Sequence, residues 1–453
     1  MADLSFPVAP PGLVLAEAPE PRFLDAFVID VNGNCLGKRL PGDQAAALAQ
    51  TGVQFSASTL VLDCRGVAQL PLGIGGADGD PDARGLPVPG TLRPVPWAAS
   101  PTVQCLLEMQ DARSGAPLWF DPRAILRQVV ERCRADGLHP VVACELEFYL
   151  LDRKRDGEGR IRPPAMPRTG AAQRRPANLC VHNLEEYEFF LRAVQDACAA
   201  QGISAGAMVS EYGLGQFEIN LRHSADPLAA ADEAALLRRT VRGVARGLGY
   251  EASFMAKPYV GDTGNGFHVH LSLGDEAGAN RFGAAGGEDL LRSAIAGMQR
   301  LHAESMAIFA PNFSAYRRYV PGSFVPMASD WAENNRSVAF RVPAASGAGR
   351  RVEHRIACAD ASPHLLLAAI LAAAHHGITQ GLSPTPERVG AAGDEPDPAI
   401  PRDLVTALAA LEQAAILSDY IPPRFLALYA ALKRGELADL LAEISPREYD
   451  FYL

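Results

Sequence analysis

The sequence predicts an α+β protein in two parts, a small strand-rich N-terminal domain followed by a larger domain in which helices alternate with short strands. Three observations carry this. Over residues 23–100 the apolar runs are short and broken by Gly, Asn and Pro, as in "AFVIDVNG" and the turn at Asn32-Gly33-Asn34. From "DPRAILRQVVERCRADGL" onward the apolar spacing becomes helical. At 453 residues the chain also exceeds one ordinary domain.

In chain order, residues 1–20 are rich in Pro and Ala and read as a loose arm. The N-terminal domain, 21–115, holds the strand "AFVIDVNG", a helix-like "PGDQAAALAQTG" and a further strand signal, "FSASTLVLD". The Gly/Asp/Pro-rich loop at 73–90 is too long for a mere connector and is either functional or disordered. The second domain, 116–453, opens on a helix started by Asp121-Pro122. "VVACELEFYL" (141–150) is a strand by its β-branched and aromatic content, "DPLAAADEAALLRRTVRGVARGLG" (226–249) is a long helix, and 382–401 is a polar, Pro-rich linker.

Composition narrows the function. A net charge of -10 does not attract phosphate backbones, so a nucleic-acid partner is excluded. The eight cysteines stand singly, with no C-x-x-C pair, and read as reduced thiols of a cytoplasmic protein. The N-terminus has no basic segment followed by an apolar core. The longest apolar run, Leu365–Ala374, is far short of the roughly 20 residues that span a bilayer, so no membrane role is expected.

Several strand-like segments carry chemistry. Glu145 and Glu147 are two apart, so both carboxylates leave the same strand face, roughly 7 Å apart. That face is either a solvated polar surface or, given apolar flanks, a place where carboxylates need cations or shifted pKa values. "SEYGLGQFEIN" (210–220) places Glu211 and Glu218 on either side of a bend at Gly213-Leu214-Gly215. "TGNGFHVHLSL" (263–273) adds His268 and His270, and "RVEHR" adds Glu353. A set of carboxylates with one histidine suits Mg²⁺ or Mn²⁺ better than Zn²⁺. Between Tyr316 and Arg355 there are seven arginines and no lysine: 317, 318, 336, 341, 350, 351 and 355. Arginine alone suggests bidentate recognition of carboxylate and phosphate. An acidic metal nest beside such a cluster is what phosphoryl transfer needs, and there is no Walker, kinase or Rossmann glycine loop.

Eight segments in order, "DVNGNCLGK", "ACELEFYL", "EYGLGQFEIN", "GNGFHVHLSL", "YRRYVPGSFVP", "NNRSVAFRVP", "RRVEHR" and "HLLLAAILAAAHHGI", carry a resemblance to type I glutamine synthetase-fold ligases, most of all the γ-glutamyl amine and polyamine synthetases. The resemblance runs from about Phe27 to the C-terminus. It implies a β-grasp N-terminal domain and a large α/β catalytic domain. It also implies a homo-oligomer, a dodecamer of two hexameric rings with active sites between subunits. Carried over position by position, Glu147, Glu211 and Glu218 match the ligands of one metal, and Glu145, His268 and Glu353 those of a second, with two to three Mg²⁺ or Mn²⁺ ions per site. His270, Ser272 and Arg351 match positions at ATP, and Gly264 lies in the loop that carries L-glutamate. Arg318 and Arg355 match glutamate-holding arginines; Arg336 and Arg341 match those on the transferred phosphate. The implied reaction runs through γ-glutamyl phosphate, which an amine then attacks to form the amide and release phosphate.

Two departures bear on the acceptor. Ammonia-using glutamine synthetases carry an Asp in the segment that here reads "FSAST", where Ser56 replaces it. They carry a Glu shortly after the substrate arginine, where this chain has Phe324. Burying ammonium without a paired carboxylate is costly, so an organic amine, polyamine or monoamine, is the expected acceptor. Phe324 offers an apolar wall, and Asp82 remains as an acidic group able to hold the amine. Thr263 stands where glutamine synthetases have Asn, and the lysine that follows their R-x-P segment is missing. A glutamine synthetase using ammonia and a catalytically silent scaffold relative are the alternatives.

Overall fold

The computed structural model describes residues 20–453 apart from 70–72, 168, 172, 174 and 393–395. The arm expected over 1–20 falls almost wholly on residues 1–19, outside the described residues.

The first sheet is built from β1 (Phe23–Ile29), β2 (Cys35–Pro41), β3 (Val53–Ser56), β4 (Asp82–Pro87), β5 (Arg93–Pro94) and β6 (Thr102–Asp111), with α1 (Ala45–Thr51) between β2 and β3. Its order is β2-β1-β6-β4-β3, with β5 also on β6; β1 and β6 run parallel and the other pairs antiparallel. Two expectations change here. "FSASTLVLD" is strand only at its start, and Ala57–Val61 forms a 3-10 helix. The loop expected over 73–90 contains β4, which lies between β3 and β6. Gly and Pro mask its period-two signal, but Ala83 and Gly85 turn inward while Asp82 and Arg84 turn out.

The second sheet contains β7 (His139–Asp152), β8 (Ala205–Ser210), β9 (Gln216–Leu221), β10 (Tyr250–Ser253), β11 (Phe267–Gly274), β12 (Trp331–Glu333), β13 (Phe340–Val342) and β14 (Val352–His354). Its order is β12-β13-β14-β11-β7-β9-β8, with β10 on β7. Helices α2 (Pro122–Ala135), α3 (Val181–Glu186), α4 (Glu188–Gln201), α5 (Pro227–Gly247), α6 (Gly287–Phe309) and α7 (Pro363–Thr379) pack on or near it, followed by α8 (Leu404–Glu412), α9 (Pro423–Leu441) and α10 (Pro446–Tyr452).

The starts of α2 and α5 follow from Asp121-Pro122 and Asp226-Pro227: each Asp caps backbone N–H groups and each Pro fills the first helical position. The apolar run Leu365–Ala374 is buried along α7. Glycines let α6 and α7 meet backbone to backbone, for a Cβ on Gly297 would stand 2.0 Å from the Ala373 carbonyl oxygen. The segment expected to be a linker over 382–401 forms neither helix nor strand among its described residues, yet is strapped to the body. Arg388 N–H donates to Trp331 O and Asp397 N–H to Met327 O.

Candidate active site

Four neighbouring strands deliver the acidic cluster. β7 is buried in alternation, so Leu146 and Phe148 enter the core while Glu145 and Glu147 leave the opposite face together. Register then fixes the neighbours: Glu145 stands opposite His268 and Asn220, Glu147 opposite Glu218, and His270 opposite Glu353. His268 Nδ1 lies 3.6 Å from Glu145 and 3.8 Å from Glu218, and its Nε2 lies 3.9 Å from Glu147. Ser272 shares the same strand face.

The electrostatics are those of crowded, half-dehydrated charge. Burial, and then the charges of Glu145, Glu147 and Glu211, push the Glu218 carboxyl up to about 9. Burial and the charge of Glu147 push Glu211 up to about 7. Burial opposes the charge on Glu353 too, but Arg355, with His268 and His270, brings it down to about 2. Glu145 is likewise held below the usual carboxylate range: burial raises it, but the neighbouring imidazoles of His268 and His270 outweigh burial.

Two groups present ligand atoms all within 4.8 Å of one another: Glu145, Glu218 and His268, and Glu145, His270 and Glu353. Mostly carboxylate with an imidazole, this donor set fits a hard divalent cation, which relieves the repulsion that raises Glu218. By distance alone His268 gathers with Glu145 and Glu218, and His270 stands against Glu145 at 2.8 Å. Glu147 lies beside these groups and accepts from Gly266 N–H at 2.8 Å.

The arginines divide by environment. Arg318 is buried, with Nη1 donating to Ile356 O and Ala357 O. Arg341 and Arg355 each bond one oxygen of Glu353. The Nε groups of Arg318, Arg341 and Arg355 are buried with no partner among the described residues, which suits an anionic ligand at this face. Arg351 donates to His270. Arg336 is exposed, and its charge reaches Glu211. Arg350 braces Glu288 and Glu333 instead.

Sequence reasoning gave little weight to the residues that pin this loop. Gln216 Nε2 donates to Gly264 O at 3.0 Å and to the buried Asn265 Oδ1 at 2.9 Å, while Thr263 Oγ1 donates to Gln216 Oε1 at 2.6 Å. Alternation along β9 already puts Gln216 on the face of Glu218; nothing in the sequence marks Asn265. Gly264 and Gly266 are glycine because Arg318 passes against both. A Cβ on Gly266 would meet Arg318 Nη2 at 2.7 Å and His268 Nε2 at 2.9 Å. Gly266→Ala is expected to cut kcat/KM by about 100-fold by moving both side chains, with a folded protein by circular dichroism; unchanged kinetics would remove Gly266 from the site.

Phe324 is 78% exposed with a left-handed φ of 54°. Its loop lines a cavity of about 160 Å³ with Val325, Met327, Asp330, Val338 and Ala339, and Ala339 O accepts from Arg355 N–H. Ser56 and Asp82 face each other across β3 and β4 in the first sheet. Among the described residues neither shares a hydrogen bond or ion pair with the second-sheet cluster. No helix among them is long and apolar enough to cross a membrane.

Comparison with known proteins places this geometry. A family profile described as glutamine synthetase, catalytic domain, matches residues 120–452. Gamma-glutamylputrescine synthetase PuuA of Escherichia coli K12 is 38% identical over 443 residues, covering 97% of this chain and 93% of that one. Glutamate–isopropylamine ligase of a Pseudomonas species is 29% identical over 449 residues, covering 94% and 93%. The solved GmaS/ADP complex, in its conformation 1, superposes with a TM-score of 0.81 at 25% identity, over 96% of this chain and 97% of that one. The chain therefore belongs to the glutamine synthetase family, with the α+β fold of that family.

Proposed function

We propose that the protein is an ATP-dependent ligase joining the γ-carboxylate of L-glutamate to an organic amine through γ-glutamyl phosphate. The observation that carries the reading is the crowded Glu145–Glu218–His268 group set beside three arginines, Arg318, Arg341 and Arg355, whose buried Nε donors have no partner among the described residues. Relatives named as ligases of putrescine and isopropylamine support it.

In this reading Glu145, Glu147, Glu211, Glu218, His268 and Glu353 hold two to three Mg²⁺ or Mn²⁺ ions. Those ions supply positive charge toward phosphate oxygens. Arg318 and Arg355 hold glutamate beside Gly264, and Arg336 and Arg341 face the transferred phosphate. His270, Ser272 and Arg351 line the nucleotide side. Ser56, Asp82 and Phe324 surround the acceptor. Ser56 and Asp82 stand in the first sheet and, among the described residues, share no hydrogen bond or ion pair with their own chain's cluster, which supports sites completed between subunits of a ring-forming homo-oligomer, two hexameric rings in a dodecamer. We take the domains as 21–115 and 116–453 and the compartment as the cytoplasm.

The test is phosphate release from ATP with glutamate and Mg²⁺, run against ammonia, ethanolamine, alkyl and aromatic monoamines, putrescine and spermidine. An organic amine is expected to exceed ammonia and give an amide of matching mass. Ammonia equal or better would overturn the acceptor reading; no turnover with any amine would leave the silent relative. Phe324→Glu is expected to shift the preference toward ammonia by about 10-fold, since it restores a carboxylate where an ammonium needs one.

A further inference from the structure

His270 is held at both ring nitrogens. Arg351 Nε lies 3.0 Å from its Nδ1, and Glu145 Oε1 lies 2.8 Å from its Nε2. A guanidinium has five N–H donors and no acceptor, so Nδ1 must present its lone pair. The ring proton is therefore on Nε2, donated to Glu145. Arg351 is itself anchored, with Nη1 donating to Gly349 O at 3.0 Å.

The consequence concerns which imidazole serves a cation. By distance alone both histidines qualify, since each belongs to a three-residue group with ligand atoms within 4.8 Å. In the bonded arrangement His270 has no lone pair left: one nitrogen accepts from arginine and the other carries the proton. Among the described residues no hydrogen bond occupies the nitrogens of His268 in this way; it only approaches carboxylates at 3.6–3.9 Å. The same chain orients Glu145, taking Oε1 toward His270 and leaving Oε2 toward His268.

We propose that Arg351 is a positioning residue that fixes the Nε2–H tautomer of His270, withholds that histidine from the metal and turns the second oxygen of Glu145 toward the His268–Glu218 group. The proposal rests on the metal reading above, which already gives His268 to the metal and His270 to the nucleotide side, and adds to it the residue that enforces that separation. A contact of Arg351 with nucleotide alone has no such effect on the metal's ligands.

The experiment loads the full-length protein with Mn²⁺ in the absence of ATP, glutamate and amine, and uses pulsed EPR to count the imidazole nitrogens bound to the ion. The wild type is expected to show a single imidazole, lost in His268→Ala and kept in His270→Ala. Arg351→Met frees Nδ1 of His270 and is expected to show a second imidazole; Arg351→Lys, which restores a donor, returns the signal to one. Loss of the wild-type imidazole in His270→Ala overturns the proposal even if the Arg351→Met protein fails to fold. An Arg351→Met signal identical to wild type overturns it too and leaves Arg351 as a nucleotide contact, seen as a raised KM for ATP with unchanged Mn²⁺ spectra. Absence of Mn²⁺ binding in the wild type sinks the metal reading itself, a distinct failure.

Discussion

Glu218→Gln abolishes turnover and at the same time raises the melting temperature of the metal-free protein. Glu218 is buried on β9 with Glu145, Glu147 and Glu211 around it, the combination that pushes its carboxyl upward. With its carboxyl raised to about 9, Glu218 must take up a proton on folding near neutral pH; an amide of the same shape is neutral without that cost and keeps an oxygen for Asn220 Nδ2, which donates to Glu218 Oε1 at 3.2 Å. The gain expected in EDTA is on the order of 1 kcal/mol. Activity falls by at least about 100-fold, because one of three donors of the His268 group is lost. Melting curves with EDTA and with Mn²⁺ check both halves. Mn²⁺ stabilises the wild type more than the variant, since a ligand bound only to the native state adds to its stability. A variant less stable than wild type in EDTA would show that crowding at Glu218 is already relieved by the protein.

The second large effect lies away from the chemistry. Asp232 of α5 is buried; it accepts from His364 Nε2 at 2.8 Å on α7 and from Arg123 Nη2 at 3.0 Å on α2. Arg123 also pairs with Glu108 of β6, so one carboxylate links three helices and, through an arginine, the first sheet. Asp232→Ala leaves the buried His364 imidazole without its carboxylate and the half-buried Arg123 with Glu108 alone, and is expected to lower stability by about 3 kcal/mol. The sign of its pH dependence follows from its environment. Burial raises its pKa, but His364 and Arg123 outweigh burial and hold it below 3.8. Its contribution is therefore complete above 3.8 and lost as pH falls through the lower folded value. Denaturant titration at neutral pH checks the magnitude, and a loss under about 1 kcal/mol would mean that water replaces the carboxylate.

Much of the site is legible in one dimension because β-strands project alternate side chains to opposite faces. Glu145 with Glu147, Gln216 with Glu218, and His268 with His270 could each be paired by counting to two. The helix start at Asp121-Pro122 was equally plain. What could not be read was which strand lies beside which. β11 sits between β7 and β14, and that order, not sequence spacing, sets His268 beside Glu145 and Glu218 and puts His270 against Glu145, Glu353 and Arg351. Asn265 escaped because a loop has no period, and β4 escaped because Gly85 and Pro87 suppress the β-branched signature of a strand whose pairing comes from its neighbours.

The strand order also governs when the site comes into being. Its carboxylates and histidine come from β7, β9, β11 and β14, with roughly 200 residues of chain between the first ligand and the last, so they meet only through long-range pairing. During synthesis Glu145, Glu218 and His268 emerge well before β14 delivers Glu353 and the two arginines that bond it. Release of residue 353 from the ribosome thus sets the earliest moment at which the chain gathers all of these groups on one face.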